Sequence, residues 1–167
     1  MTAALRRFVW MMLPLLLSAA GLAVAIVLLR EHLTVNEGGV AGGLFCGGGG
    51  RFDCSAVAAH ESSWLFGRPL AMWGVLYFIL LTAMALAGLM TSRADRVLVR
   101  RVALVLTVAS FAFDLWLSWV MVARIGAICL NCVATYVINF LLMLVLWRQV
   151  RNPPDATPVA EEPAPRG

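Results

Sequence analysis

Lysine is absent: all thirteen basic side chains are arginine, set against nine acidic ones. Charge of any kind is scarce, at 13% of the residues, while 62% are hydrophobic. So little charge on so apolar a chain excludes an ordinary water-soluble domain and leaves one small integral membrane domain. The apolar stretches also lack the period-two alternation of a barrel strand, so they read as helices. No basic stripe is interleaved with stacking aromatics, so the net charge of +4 is no sign of nucleic-acid binding. Val133, not histidine, follows Cys132, which disfavours covalently attached haem. The cysteine pairs lack the repeated short spacing of common zinc sites, so no metal is expected. There is no internal repeat.

What is present is a set of four apolar stretches, about Phe8–Leu29, Leu70–Met90, Val102–Ala123 and Ile125–Trp147. Each supplies the roughly 20 apolar residues needed to cross a hydrocarbon core. The expected fold is an all-α membrane protein, a four-transmembrane-helix bundle over residues 1–150 with a loop at 31–69. Residues 151–167, rich in proline, are expected to be a disordered cytoplasmic tail. Arg6 and Arg7 with Ala23-Val24-Ala25 imitate a signal peptide, but the apolar run continues through Leu29, and a retained anchor is expected. In a four-span model Arg6, Arg7, Arg93, Arg96, Arg100, Arg101, Arg148, Arg151 and Arg166 fall on one side. Arg30, Arg51, Arg68 and Arg124 fall on the other. The excess places both termini inside by the positive-inside rule, and the 31–69 loop outside.

That loop opens with Arg30-Glu31-His32, read as membrane edge, with His32 interfacial. Glycines follow at 38, 39, 42, 43 and 47–50, a stretch expected to be mobile. From Cys54 to Trp64 the spacing again suits a helix, expected to lie on the membrane surface with Trp64 and Phe66 at headgroup level. Gly67-Arg68-Pro69 reads as a turn before the second span. The links at Thr91–Arg96 and around Arg124-Ile125-Gly126 are short, which makes their helices antiparallel neighbours.

The four cysteines form two pairs. Cys46 and Cys54 enclose glycines in the outer loop, where a disulfide can persist or a sulfur can swing away. Cys129 and Cys132 fall in the first turn or two of the fourth span, where a helix N-terminus favours a thiolate. Asn131 and Thr135 bring polar character there. Two readings stay open on these residues alone. One is a redox relay from loop dithiol to membrane dithiol. The other is a non-catalytic tetraspan protein whose cysteines are staples or small apolar residues.

Cys46-x7-Cys54 with Val57, then Gly67-x-Pro69, Trp73-Gly74-x-x-Tyr77 and Cys129-x-x-Cys132-x3-Tyr136, in this order on four spans, resemble the vitamin K epoxide reductase family. The resemblance covers roughly residues 8–147. It implies a quinone-dependent thiol oxidoreductase. Bacterial members take electrons from a periplasmic thioredoxin-like protein and pass them to a membrane quinone, menaquinone or ubiquinone, so that exported proteins acquire disulfides. It further implies a bacterial inner-membrane location with the site at the outer face. By position, Cys46 and Cys54 would be the shuttle pair, Cys54 would exchange with Cys129, and Cys132 would face the quinone. Tyr136, one turn beyond Cys132, would bond a quinone carbonyl. Family members commonly carry a hydroxyl residue where Ala59 and His60 stand here, so Ser62, Ser63 or His60 would substitute. The animal enzymes carry an asparagine where this chain has Leu70, which makes quinone reduction the expectation over vitamin K epoxide reduction. Many bacterial relatives carry a fused thioredoxin-like domain; here the partner is expected to be a separate chain.

Three further residues are candidates for a quinone site. Asp114 is an ionisable group inside the third span, where it points into the bundle or a wet cavity, either to pass protons or to pair with a neighbouring polar group or arginine. His60, six residues past Cys54, is either a thiolate-tuning imidazole or a solvent-exposed histidine. Trp73, with Phe111, Phe113, Trp116 and Trp119, reads as pocket wall or as packing and lipid contact. Glu61 and Asp53 read as loop surface.

Overall fold

A computed structural model describes residues 3–39, 42 and 50–153. Cys46, most of the glycine run and the tail from 154 onward lie outside the described residues, so the expectations of a mobile loop and a disordered tail fall there.

Four helices are long and apolar enough to cross a membrane. They are α1 (Ala3–Asn36), α3 (Leu70–Met90), α4 (Arg93–Val120) and α5 (Leu130–Arg151), with a short α2 (Cys54–Ala59) between the first two spans. The protein is a multi-pass membrane protein built as a helical bundle. α1 packs between α3 and α5, and α5 packs on α4. At the centre, Ala25, Phe78, Leu81, Ala103, Leu142 and Leu146 form a buried cluster. Leu80, Val105, Leu115 and Trp116 are exposed on the outside, as apolar side chains facing lipid tails should be.

Small residues decide how closely the spans approach. Gly21 on α1 is buried against Phe78, and a Cβ built there collides with the Phe78 ring. Phe78 is itself 1% exposed and has nowhere to move. Gly21→Ala is therefore expected to destabilise the bundle by about 1–3 kcal/mol through overpacking. Thermal unfolding in detergent would show a lowered midpoint, and an unchanged midpoint would refute the argument.

Local chemistry sets the helix ends. Ser92 caps α4: its Oγ accepts from the Asp95 N–H and donates to the Asp95 carboxylate at 2.7 Å. Between α2 and α3, Trp64–Leu65 and Arg68–Pro69 form a small antiparallel hairpin. Its turn is Phe66-Gly67, both at positive φ (53° and 70°), the backbone a two-residue hairpin requires. The proposed turn at 67–69 thus lies one residue late, and Phe66 occupies the tip.

The largest departure concerns the last span. The sequence reading starts it at Ile125, whereas α5 begins at Leu130. α4 ends in a π-helical turn, Met121–Ile125, stopped by Gly126 at φ 72°. Such turns are rare and often sit at functional sites. The segment 126–129 is consequently non-helical, and Cys129 caps α5 rather than lying within it.

Candidate functional site

The site is assembled where the C-terminal ends of α1 and α4 meet the N-terminal ends of α3 and α5, beneath α2 and the hairpin. α1 runs a turn past residue 32, so Glu31 and His32 are not at a membrane edge but inside the bundle, 7% and 3% exposed. The Asn131 amide Nδ2 donates to both Glu31 carboxylate oxygens, at 3.0 and 2.9 Å. His32 meets the Trp64 ring edge-on at 4.9 Å, and its Nε2 is buried with no hydrogen-bond partner among the described residues.

Asn131 stands between the two cysteines of the Cys129-x-x-Cys132 motif. Their sulfurs are 2.6 Å apart, with the Cys132 thiol donating to Cys129 Sγ. The Cys132 backbone N–H donates to the same sulfur at 3.2 Å. These bonds, the thiol's first, hold the Cys129 thiol below its ordinary range, against the opposing effects of burial and of the Glu31 carboxylate. Cys129 is 2% exposed, while Cys132 is half-buried.

Cys54 is the first residue of α2, which Asp53 caps by accepting the Ala56 N–H at 3.0 Å. It is disulfide-bonded and 4% exposed. It shares a buried cluster with Met121 and Cys129, bordered by Val57, Cys132 and Tyr136. A backbone bond from the Ile128 N–H to the Arg51 carbonyl (2.8 Å) ties the segments carrying Cys54 and Cys129 together. Three of the four candidate cysteines are thus gathered in one place; Cys46 lies outside the described residues.

The cluster opens onto a cavity of about 280 Å³, near the lower end for small-molecule sites. Leu70, Trp73, Phe113 and Leu117 give it apolar walls, and Cys54, Cys129, Cys132 and Tyr136 border it. Trp73 is braced by its Nε1–H donating to the Leu65 carbonyl at 3.2 Å. The Tyr136 side chain makes no hydrogen bond among the described residues, so its hydroxyl remains available to a ligand.

Asp114 also lines the cavity and is 8% exposed. It belongs to a chain of hydrogen bonds. Tyr77 donates to Asn139 Oδ1 at 2.7 Å, and Asn139 Nδ2 donates to Asp114 Oδ2 at 2.6 Å and to Ser110 Oγ at 3.2 Å. His60 takes no part: its Nδ1 accepts the Ser62 N–H at 3.1 Å, capping a 3₁₀ turn, and it does not line the cavity. Ser62 and Ser63 do line it. Among the aromatics of α4, Phe113 faces the cavity, whereas Trp116 and Trp119 are 51% and 55% exposed on the outer surface.

The sequence reading assigned no role to Glu31, Asn139 or Ser110. A signal for part of this was present: Asn131, Thr135 and Asn139 recur every fourth residue along an apolar span, which puts three polar groups on one face. Comparison with known proteins yields a match of residues 12–147 to the model described as the Vitamin K epoxide reductase family. No curated protein matches the chain.

Proposed function

The chain belongs to the vitamin K epoxide reductase family, a family of oxidoreductases, and from that premise we propose that it oxidises a protein dithiol and reduces a quinone. The observation that carries the reading is the shared burial of Cys54 and Cys129 beside Cys132, at the mouth of an apolar cavity. A dithiol that exchanges with a second pair and also borders a ligand cavity has a use for both neighbours. A pair of structural staples needs neither.

In this reading Cys46 and Cys54 meet a separate thioredoxin-like partner. Cys54 then attacks the Cys129–Cys132 disulfide at Cys129, and Cys46 resolves the mixed disulfide, leaving the inner pair reduced. Hydrogen bonds from Cys132 stabilise Cys129 as the departing thiolate when the mixed disulfide resolves. A bound quinone supplies a two-electron, two-proton acceptor. The residues fit such a group: flat apolar walls at Leu70, Trp73 and Phe113, an available hydroxyl at Tyr136, and the half-buried Cys132 at the edge. Leu70 brings no donor to the cavity, which favours a quinone over an epoxide as the acceptor. The arginine distribution supports an orientation with both termini inside and this site at the outer face, which in the bacterial inner membrane that the family resemblance implies would be the periplasmic face. The tail beyond residue 151 would then be cytoplasmic. Disulfide formation in exported proteins is the process such turnover would serve.

The test is quinone reduction by the purified, folded protein with a reduced thioredoxin-like protein as donor. Turnover with a menaquinone or ubiquinone analogue is expected. Its absence with both would favour the structural role for the cysteines.

A further inference from the structure

Glu31 is a buried carboxylate at the dithiol to which the proposed relay gives no task. We infer that Glu31, held by Asn131 between the two cysteines, is the proton acceptor of the Cys129 thiol. The inference deepens the reading above and rests on it for the reaction, though not for the proton equilibrium itself.

Geometry carries the argument. The carboxylate comes from α1, yet it is clamped by an amide that lies within the cysteine motif, both oxygens engaged and the residue 7% exposed. A carboxylate buried at a dithiol opposes any thiolate there, because two negative charges would share one desolvated site. That opposition acts on Cys129. It disappears if the proton leaving sulfur goes to the carboxylate itself. The step is Cys129–SH with Glu31–COO⁻ giving Cys129–S⁻ with Glu31–COOH. One S–H bond breaks, one O–H bond forms, and the site keeps a single negative charge throughout. The reverse transfer returns the proton when the thiolate is consumed or reprotonated. The Cys132 S–H and N–H stand ready to receive the charge on Cys129.

The other titratable groups facing this region are His32 on α1, Cys54 on α2, Tyr77 on α3, Asp114 on α4, and Cys132 and Tyr136 on α5. Asp114 is bonded to Asn139, two helical turns beyond Cys132, and Arg51 and Arg124 at this end are exposed to solvent. Glu31 is therefore the carboxylate placed to serve the dithiol.

The experiment is the pH dependence of alkylation of Cys129 in the reduced full-length protein, resolved by peptide mass spectrometry without quinone or partner. Glu31→Gln keeps an acceptor for Asn131 but removes the charge. Its alkylation midpoint should fall by roughly half to one pH unit, about three- to tenfold faster reaction below the midpoint. Quinone turnover should fall by about a hundredfold or more, the usual scale for losing a general base. Glu31→Asp, which keeps the charge, should restore most of the wild-type midpoint. An unchanged midpoint in Glu31→Gln, with turnover retained, would leave Glu31 a helix clamp and overturn the inference. If the midpoint shifts but wild type reduces no quinone, the proton coupling stands and the quinone reading fails.

Discussion

Cys132→Ser abolishes quinone reduction with every electron donor, whereas Cys54→Ser abolishes it only when the donor is a protein dithiol; these are the expected results with the largest effect on activity. Cys132 borders the cavity and is bonded to Cys129, so its loss removes the inner disulfide altogether. The expected fall is about a thousandfold or more, as for members of a catalytic unit that acts together. Cys54 is the first residue of α2 and shares a buried cluster with Cys129. Its loss breaks the transfer from partner to inner pair but leaves the inner pair intact. A small dithiol entering the cavity can still reduce that pair, so turnover with such a donor should persist within a few fold of wild type. The measurement is a steady-state quinone assay with both donors on both variants. Turnover surviving in Cys132→Ser would remove that residue from the quinone step. Equal loss with both donors in Cys54→Ser would mean that the two pairs do not act in series.

The spans were legible because membrane thickness imposes a length that hydropathy can count. Leu70–Met90 matches to the residue, since Pro69 precedes it and Thr91-Ser92 interrupts the apolar run after it. The start of α5 was misplaced for the complementary reason. Ile125 to Leu130 is almost wholly apolar, so hydropathy runs straight through a π turn and a left-handed glycine. Gly126 was the available signal. The cysteine motif, Tyr136, Trp73 and Asp114 were singled out by residue type and position, and all border or line one cavity. Glu31 and His32 were misjudged because a charged pair at the end of an apolar run usually reaches for water. Their burial depends on Asn131, 100 residues away, and on Trp64 in the hairpin. No local pattern reports a partner at that distance. His60, which the sequence left open between the cleft and solvent, accepts the Ser62 N–H in a local turn.

Asn139→Ala should be the most damaging single change to stability, lowering the unfolding free energy by about 3 kcal/mol. Asn139 is 1% exposed and uses both ends of its amide: Oδ1 accepts from Tyr77, and Nδ2 serves Asp114 and Ser110. It thereby joins α3, α4 and α5 in mid-bundle, where hydrocarbon on the outside offers no replacement water. Truncation strands the Tyr77 hydroxyl and takes from Asp114 a hydrogen bond to a carboxylate, each worth about 1–3 kcal/mol when buried. Two effects reduce the sum. An unfolded membrane chain also finds polar partners, and measured interhelical bonds in bilayers average well below 1 kcal/mol. Water entering the cavity can also reach Asp114. Against that, the three-way junction is lost as a unit, so the larger figure is favoured over a single-bond average. Tyr77→Phe removes one bond and should cost about 1 kcal/mol. The double variant should fall clearly short of the sum of the two, because Asn139→Ala already breaks the Tyr77 bond. Equilibrium unfolding in mixed micelles provides the measurement. A loss below about 1 kcal/mol for Asn139→Ala, or strict additivity with Tyr77→Phe, would show that the network does not hold the three helices together.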